Sequence, residues 1–383
     1  MEPLACAPST SGTGRRARDL GIVVGRGATG PCNAITDVPG VRVGHATVRR
    51  PPGVHSGVTA VVPDGVGPDA PLPAGVFTGN GYGKLIGTTQ LTELGALETP
   101  LLLTSTLSAF RVADALVGWM LERPGCDEVL SLNPVVGECN DGYLSDIRAR
   151  PVHEEHVRAA LDGAAGGPVA EGCVGAGTGT VALGFKAGIG TASRTLDLGG
   201  THRTAGVLVQ ANFGGVLRVL GRTVTPGSVG LGADDPAPAA ETGSCMIAVA
   251  TDAPLDARQL TRLARRAVFA LARTGAAYSH GSGDYAVAFG TRPGGTPVPD
   301  AELGPLFEAV LDGVEEAVLN SLLAATTTTG IRGRTAVALP ADALLAALAA
   351  PAEPSALSAP SAPSVPSAPE GPPRPGGGPA TLS

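Results

Sequence analysis

GSCMIAVATDAPL, residues 243–255, decides how this chain is read. Met246–Ala250 is a short apolar run of the kind that forms a strand, with Gly243 and Ser244 at its head. Side chains alternate along a strand, so Cys245 is expected to face away from Ser244. Directly after it, residues Asp256 to Thr274 read as an amphipathic helix. Leu260, Leu263, Ala267, Val268 and Leu271 form its apolar stripe, the arginines lie mostly opposite, and Gly275 is placed as a C-terminal cap.

Working outward, Tyr285–Phe289 on one side and Val207–Val209 and Val181–Phe185 on the other read as further strands. A second helix is expected from Pro305 to Ala325, with Phe307, Val310, Leu311, Val314, Val318 and Leu322 on one face. Nearer the start, Ile22–Val24, Val41–Val43, Val58–Val62 and Leu101–Leu103 are β-branched or apolar runs between turn signals. The last feeds a helix over about Leu107 to Glu122, where Phe110, Ala113, Asp114, Val117 and Leu121 recur at helical spacing and Pro124 stops the pattern. Strands and helices do not alternate strictly, which points to an α+β fold with mixed sheets rather than a doubly wound one.

The chain has 383 residues, 43% hydrophobic and only 16% charged, enough to bury a sizeable core. Its 56 glycines and 34 prolines forbid long uninterrupted helices and predict many turns. A net charge of −7 gives no electrostatic footprint for nucleic acid, and one Trp, four Tyr and seven Phe are too few for base-stacking platforms. No run of about 18 apolar residues is present for a membrane span. Arg15, Arg16 and Arg18 precede an apolar run of only Gly21–Gly25, too short for a secretory signal, so a cytoplasmic location is expected.

Residues 1–18 are small and polar and read as a flexible N-terminus. Residues 19–350 read as one domain. Residues 351–383 hold ten prolines, repeat short Ser-Ala-Pro units and read as a disordered tail. The six cysteines form no CxxC pairs and are widely spread, so free thiols are expected rather than a disulfide framework or a zinc site.

Several motifs fall short of the chemistry they suggest. GNGYGK at 79–84 has Thr78 where a phosphate loop needs its first Gly, and Leu85 where it needs Ser or Thr. GAGTGT at 175–180 lacks the third-glycine spacing of a dinucleotide site. Both read as tight turns. His153-Glu-Glu-His156 lacks the i, i+4 histidines of a zinc protease helix and reads as a solvated face. No G-x-S-x-G nucleophile elbow occurs.

Small polar residues interrupt strand patterns in three places: VLVQANFG at 207–214, GSCMIAVATDAPL at 243–255 and SHGSGDYAVAF at 279–289. Asn212, Ser244, Ser282 and Asp284 adjoin these strands and are candidates to line one cleft. Taken singly, Asn212 also fits a turn, 281–284 a loop, and Gly243-Ser244 a plain strand start.

These segments, with GPCNAITDVPGVRVGH at 30–45, GECNDGYLSD at 137–146, GFKAGIGTASR at 184–194 and NSLLAATTTTG at 320–330, closely resemble the L-aminopeptidase/D-esterase family. That family includes the β-peptidyl aminopeptidases. The resemblance runs in order from about Arg16 to Pro340. It implies an autocatalytic break before a serine, here between Gly243 and Ser244, giving fragments 1–243 and 244–383 that stay together. It implies a four-layer α-β-β-α sandwich similar to N-terminal nucleophile hydrolases, with different connectivity. It places the nucleophile on Ser244, the oxyanion-binding amide on Asn212, and a supporting pair on Ser282 and Asp284. It sets Tyr143 and Glu138 near the substrate's amino end. It implies no cofactor, a small peptide, amide or ester as substrate, and a homotetramer of processed pairs.

The chemistry is sound on its own terms. A serine hydroxyl is a weak nucleophile without an adjacent base, and a chain-terminal α-amine titrates at about 7.7–8.0, near operating pH. Ser244 freed by cleavage therefore carries its own base, and no histidine is needed. Gly243, lacking a Cβ, is expected to tolerate the strained backbone that cleavage needs. Two other functions stay open: an acyltransferase similar to the ornithine acetyltransferases, which resemble a threonine-nucleophile pattern, and an unprocessed, non-enzymatic scaffold.

Overall fold

In a computed structural model, which describes residues 15–232 and 243–350, all eight residues of the strand Ser244–Thr251 are buried. Cys245, Ile247 and Val249 pack into one apolar cluster and Met246, Ala248 and Ala250 into another. A strand greasy on both faces belongs between two layers, and its neighbours supply them.

The chain begins with a hairpin, β1 (Val41–Arg50) and β2 (Val54–Pro63), then β3 (Leu72–Gly81), β4 (Leu85–Ile86), α1 (Thr88–Leu94), β5 (Ala96–Leu97) and β6 (Leu101–Ser105). Next come α2 (Ala109–Leu121), β7 (Val135–Cys139) and α3 (Glu154–Asp162). A small hairpin of β8 (Val181–Ala182) and β9 (Phe185–Lys186) leads into β10 (Ile189–Leu198) and β11 (Thr201–Asn212). A second small hairpin, β12 (Arg218–Val219) and β13 (Arg222–Thr223), precedes β14 (Ser244–Thr251), α4 (Ala257–Thr274), β15 (Gly283–Gly290) and α5 (Gly304–Leu323).

One sheet has the order β1-β2-β6-β7-β4 and the other β10-β11-β14-β15-β3-β5. Each contains one parallel pair, β6/β7 and β14/β15. Parallel neighbours require a crossover connection, and α2 and α4 provide it. Each crossover helix covers the outer face of its own sheet. Val112, Leu116 and Met120 of α2 pack on Ala60, Leu102 and Val136, joined by Val157 and Leu161 of α3. Leu260, Leu263 and Leu271 of α4, with Val310, Val314 and Val318 of α5, pack on Val207, Val209 and Ile247. Between the sheets Val43, Val61, Leu101, Leu103 and Val135 meet Leu208, Met246, Val287 and Phe289. The layers thus run α-β-β-α, as expected.

The helix expected from Asp256 to Thr274 runs over Ala257–Thr274 with Asp256 as its N-cap, whose carboxylate accepts from Gln259 N–H at 2.7 Å. Gly275 closes it, as expected, with a left-handed φ of 93°. The α2 stripe is corrected. Phe110 and Leu121 are exposed, and the buried face is Ala109, Val112, Ala113, Leu116, Trp119 and Met120. Both faces of that helix carry apolar residues, and the face packed on Ala60, Leu102 and Val136 is the one buried. Ile22–Val24 forms no strand, though Ile22 and Val24 anchor irregular chain in the core. Residues 181–185 form no continuous strand but the β8/β9 hairpin, turned at Leu183 (φ 54°) and Gly184 (φ 86°).

The N-terminal boundary also moves. Residues 1–14 and the 351–383 segment lie outside the described residues, but 16–18 are tied down. Arg16 donates to the carbonyls of Asn33 and Thr191, both at 2.8 Å, and Ala17 N–H to Asn320 Oδ1 at 2.9 Å. Arg18 Nε lies 2.9 Å from Glu316 Oε1, whose other oxygen meets buried Arg194 at 2.6 Å. Isolated arginines in a polar stretch give no sign of partners 300 residues away. Cys32 is disulfide-bonded, which corrects the expectation of free thiols there, since pairing depends on spatial approach rather than spacing. Cys126, Cys139, Cys173 and Cys245 are free. Among the described residues no helix is long and apolar enough to cross a membrane.

Candidate active site

The ladder geometry gathers the candidate residues at one end of the larger sheet. Ser244 opens β14 and lies opposite Asn212, the last residue of antiparallel β11. On its other side, β15 runs parallel with Gly283 beside Ser244 and Asp284 beside Cys245. Ser282, just before β15, donates its hydroxyl to Asp284 Oδ1 at 2.9 Å. Four residues from three sequence segments thus meet on three neighbouring strands.

Ser244 is 3% exposed, and its Oγ has no hydrogen-bond partner. Asp284 is buried as well, with Oδ2 unpartnered. Burial pushes its carboxyl up to about 6, against the opposing pull of the Ser282 hydroxyl and the Cys245 backbone N–H. A buried hydroxyl and half of a buried carboxylate without partners are uncommon, because each forfeits its bonds to water. Cys245 faces the opposite way, into the core under α4, as alternation requires.

The bond between Gly243 and Ser244 is held at its carbonyl. Gly283 N–H donates to Gly243 O at 3.2 Å. Gly243 does not have the left-handed backbone that would mark strain. Glycine is needed there for room: a Cβ would come within 2.6 Å of Asn212 O and of Phe213 Cα. From the facing sheet, Cys139 Sγ reaches Ser244 O at 3.4 Å and Gln210 O at 3.5 Å, joining the two layers beneath the site.

Asn212 accepts from Val181 N–H at 3.1 Å through its Oδ1, which fixes the amide's orientation and leaves its NH2 as the donor end. It lines a cleft of about 730 Å³ with Tyr143, Leu183, Phe213, Val216 and Arg334. The β8/β9 hairpin builds one wall through Val181, Ala182, Leu183 and Gly184, and Val216, Val224 and Thr225, which flank the β12/β13 hairpin, contribute to another. The two-residue turns of both hairpins account for their left-handed residues at Leu183-Gly184 and Leu220-Gly221. Tyr143 stands in this cleft, its hydroxyl 3.4 Å from Thr335 O. Glu138 does not line it. Its Oε1 accepts from Lys84 N–H at 2.9 Å and its Oε2 from the Thr106 hydroxyl, beneath the turn after β3. Glu138 lies beneath Gly83, which adjoins Gly283 beside Ser244, and Ser244, Ser282 and Asp284 also stand outside the lining of this cleft.

Sequence reasoning passed over several residues that shape this site. GNGYGK is not one tight turn: Gly79–Gly81 ends β3 and the chain turns over 82–84, and the stretch braces the Ser282 segment. Tyr82 N–H donates to Ser282 O at 3.1 Å, and Asn80 Nδ2 to Ser279 O at 2.6 Å. A Cβ on Gly83 would lie 3.1 Å from Gly283 Cα and 3.5 Å from Glu138 Oε1. The glycine density of 79–83 was the available signal. Nothing in the sequence around Arg334 marked it as a cleft residue. His153 to Glu155 are exposed at the start of α3, the solvated face expected, with His153 N–H donating to His156 Nδ1 at 3.0 Å.

This four-layer fold is that of a solved serine aminopeptidase. The L-aminopeptidase D-Ala-esterase/amidase of Ochrobactrum anthropi, described as a prototype for the serine aminopeptidases and a variant of the Ntn hydrolase fold, superimposes with a TM-score of 0.80 at 39% identity, covering 87% of this chain and 98% of that one. A β-aminopeptidase from a Burkholderia species superimposes equally well, with 41% identity over 87% of this chain and 98% of its own. The β-peptidyl aminopeptidase BapA of Sphingosinicella microcystinivorans is 42% identical over 368 residues, 87% of this chain and 92% of the relative. The signature of peptidase family S58 matches residues 33–336. The chain belongs to peptidase family S58 and is a serine aminopeptidase. These relatives favour the hydrolase reading over the acyltransferase one.

Proposed function

We propose that the chain cuts itself between Gly243 and Ser244, and that the freed Ser244 then removes amino-terminal residues from short peptides, amides or esters. The observation that carries this reading is the unpartnered, buried Ser244 Oγ beside a Gly243 carbonyl already bound by Gly283 N–H.

In self-cleavage, Ser244 Oγ attacks the Gly243 carbonyl carbon and its proton passes to the Ser244 nitrogen as the peptide bond breaks. Charge gathering on Gly243 O is met by Gly283 N–H. Water then hydrolyses the resulting ester, leaving a Gly243 carboxylate and a free Ser244 amine and hydroxyl. We assign the counter-charge for that amine's ammonium form to Asp284, one position along β15 from Gly283, the strand neighbour of Ser244, because its Oδ2 is unpartnered.

In turnover the neutral amine takes the Oγ proton while Oγ attacks the substrate carbonyl. The Asn212 amide stabilises the oxyanion, and the proton is handed to the departing amine. Water releases the acyl group by the reverse sequence. Ser282 orients Asp284 through its 2.9 Å bond, and Tyr143 bounds the cleft that receives the substrate. The relatives' names suggest both α- and β-amino residues as substrates. We place the active form as a homotetramer of processed pairs in the cytoplasm.

Denaturing electrophoresis with a hydrolysis screen on amino-acid amides, β-amino amides and D-amino esters tests the reading. Two bands and turnover of at least one class are expected. One full-length band, inactive on all three, rejects it.

A further inference from the structure

The cleft that receives Asn212 has one charged residue in its lining, Arg334. Apolar side chains dominate the rest: Ile147, Val181, Leu183, Phe213, Val216 and Val224. Arg334 follows a left-handed Arg332 (φ 59°) on the short 331–333 turn and is half-buried. Its Nη1 reaches only the carbonyls of Gly142 and Tyr143, both at a long 3.5 Å, and its guanidinium carbon lies 5.5 Å from the Tyr143 ring centre. No described carboxylate forms an ion pair with it, whereas Arg16, Arg18, Arg158, Arg194 and Arg258 all have one.

A guanidinium carries five donors in a planar fork suited to a carboxylate. Two long contacts to neutral carbonyls leave most of that capacity unused. A half-buried cation without a counter-ion, in a cleft with no other charged group in its lining, is favourably placed to receive an anion. The cleft volume of about 730 Å³ suits a ligand of two or three residues. On the function proposed above, Asn212 holds the scissile carbonyl in this cleft, so the leaving fragment of so short a substrate carries its terminal carboxylate there.

We propose that Arg334 binds the free C-terminal carboxylate of the substrate, which makes short peptides with an unblocked carboxyl end the preferred class. This rests on the function proposed above. Aminopeptidase activity by itself requires only a free amino end, so a demand at the other end is an added property of this cleft.

The test compares kcat/KM for a dipeptide and for the same dipeptide with its carboxyl end amidated, using wild-type, Arg334→Met and Arg334→Lys enzyme after processing. A third substrate is a dipeptide amide whose only carboxylate is on its amino-terminal side chain. Wild-type enzyme is expected to favour the free acid over the amide by about tenfold or more, the range of one charge-assisted contact. In Arg334→Met that ratio falls to near one, and Arg334→Lys keeps part of it. A wild-type ratio near one overturns the proposal without any substitution. An unchanged ratio in Arg334→Met does so too, even if overall activity drops. A preference for the side-chain acid over the free C-terminal acid also overturns it. Absence of hydrolysis of all three rejects the parent function instead.

Discussion

Gly283 N–H donates to the carbonyl of Gly243 at 3.2 Å, so the bond before Ser244 is polarised by the neighbouring parallel strand. This carbonyl contact belongs to the intact chain, whereas the Asn212 amide faces the substrate cleft. On the proposed reading, maturation and turnover draw on different oxyanion donors, and the two steps should respond separately to substitution.

Ser244→Ala should remain a single chain of 383 residues without hydrolytic activity. Mass spectrometry of the purified variant decides this. Cleavage at the same bond in the variant would show that an outside protease does the cutting.

Asn212→Ala should lower kcat with little change in KM, because an oxyanion donor acts chiefly as the carbonyl oxygen gains charge. Comparable donors in other hydrolases contribute about 2.7–4 kcal/mol, or roughly 10²–10³ in rate. Kinetics must be measured on processed enzyme, or on co-expressed fragments, to keep maturation out of the result. A large rise in KM at constant kcat would assign Asn212 to substrate binding.

Gly243→Ala should slow maturation strongly, because its Cβ would meet Asn212 O and Phe213 Cα at 2.6 Å and displace the scissile carbonyl from Gly283. A time course of fragment appearance after synthesis gives the rate. Maturation at the wild-type rate would mean that the crowding is relieved by a shift elsewhere.

Asp284 predicts a pH-dependent stability in the uncut chain. Its folded-state value of about 6 lies above the ordinary 3.8, so the native state holds the proton more tightly between those limits. Ionised Asp284 then costs nothing below about pH 4 and destabilises progressively as pH rises through 6. In a Ser244→Ala background, Asp284→Asn should raise the melting temperature at pH 8, by a gain on the order of 2 kcal/mol that fades toward pH 4. A gain of constant size across that range would assign the effect to packing.

Arg194→Met should destabilise the fold by about 3–5 kcal/mol, because it strands the fully buried Glu316. Arg18 and Asn33 still reach that carboxylate, which favours the lower end of the range. Urea titration of the Ser244→Ala chain measures it, and a loss below about 1 kcal/mol would show that those two contacts suffice.

The local elements and the identity of the reactive strand were set by sequence. Met246–Ala250 is apolar at every position, and Asp256 with Gly275 brackets an amphipathic helix. Both patterns act through neighbours along the chain, so they are visible in one dimension. Ser244, Asn212, Ser282 and Asp284 were legible as candidates because small polar residues stand out against strand ends, and the family motifs singled them out. Their convergence is a matter of register. Strand pairing at Asn212–Ser244 and Ser244–Gly283 brings together residues about 30 to 40 positions apart, and no local pattern encodes which strands become neighbours. The same reason governs the misses. The α2 helix has apolar residues on two faces, and only contact with Leu102 and Val136 decided that Phe110 is outside. Arg334 carries no local mark at all. Its place as the charged group of that cleft depends on a turn packing against Gly142 and Tyr143, a contact across about 190 residues that only the folded chain makes.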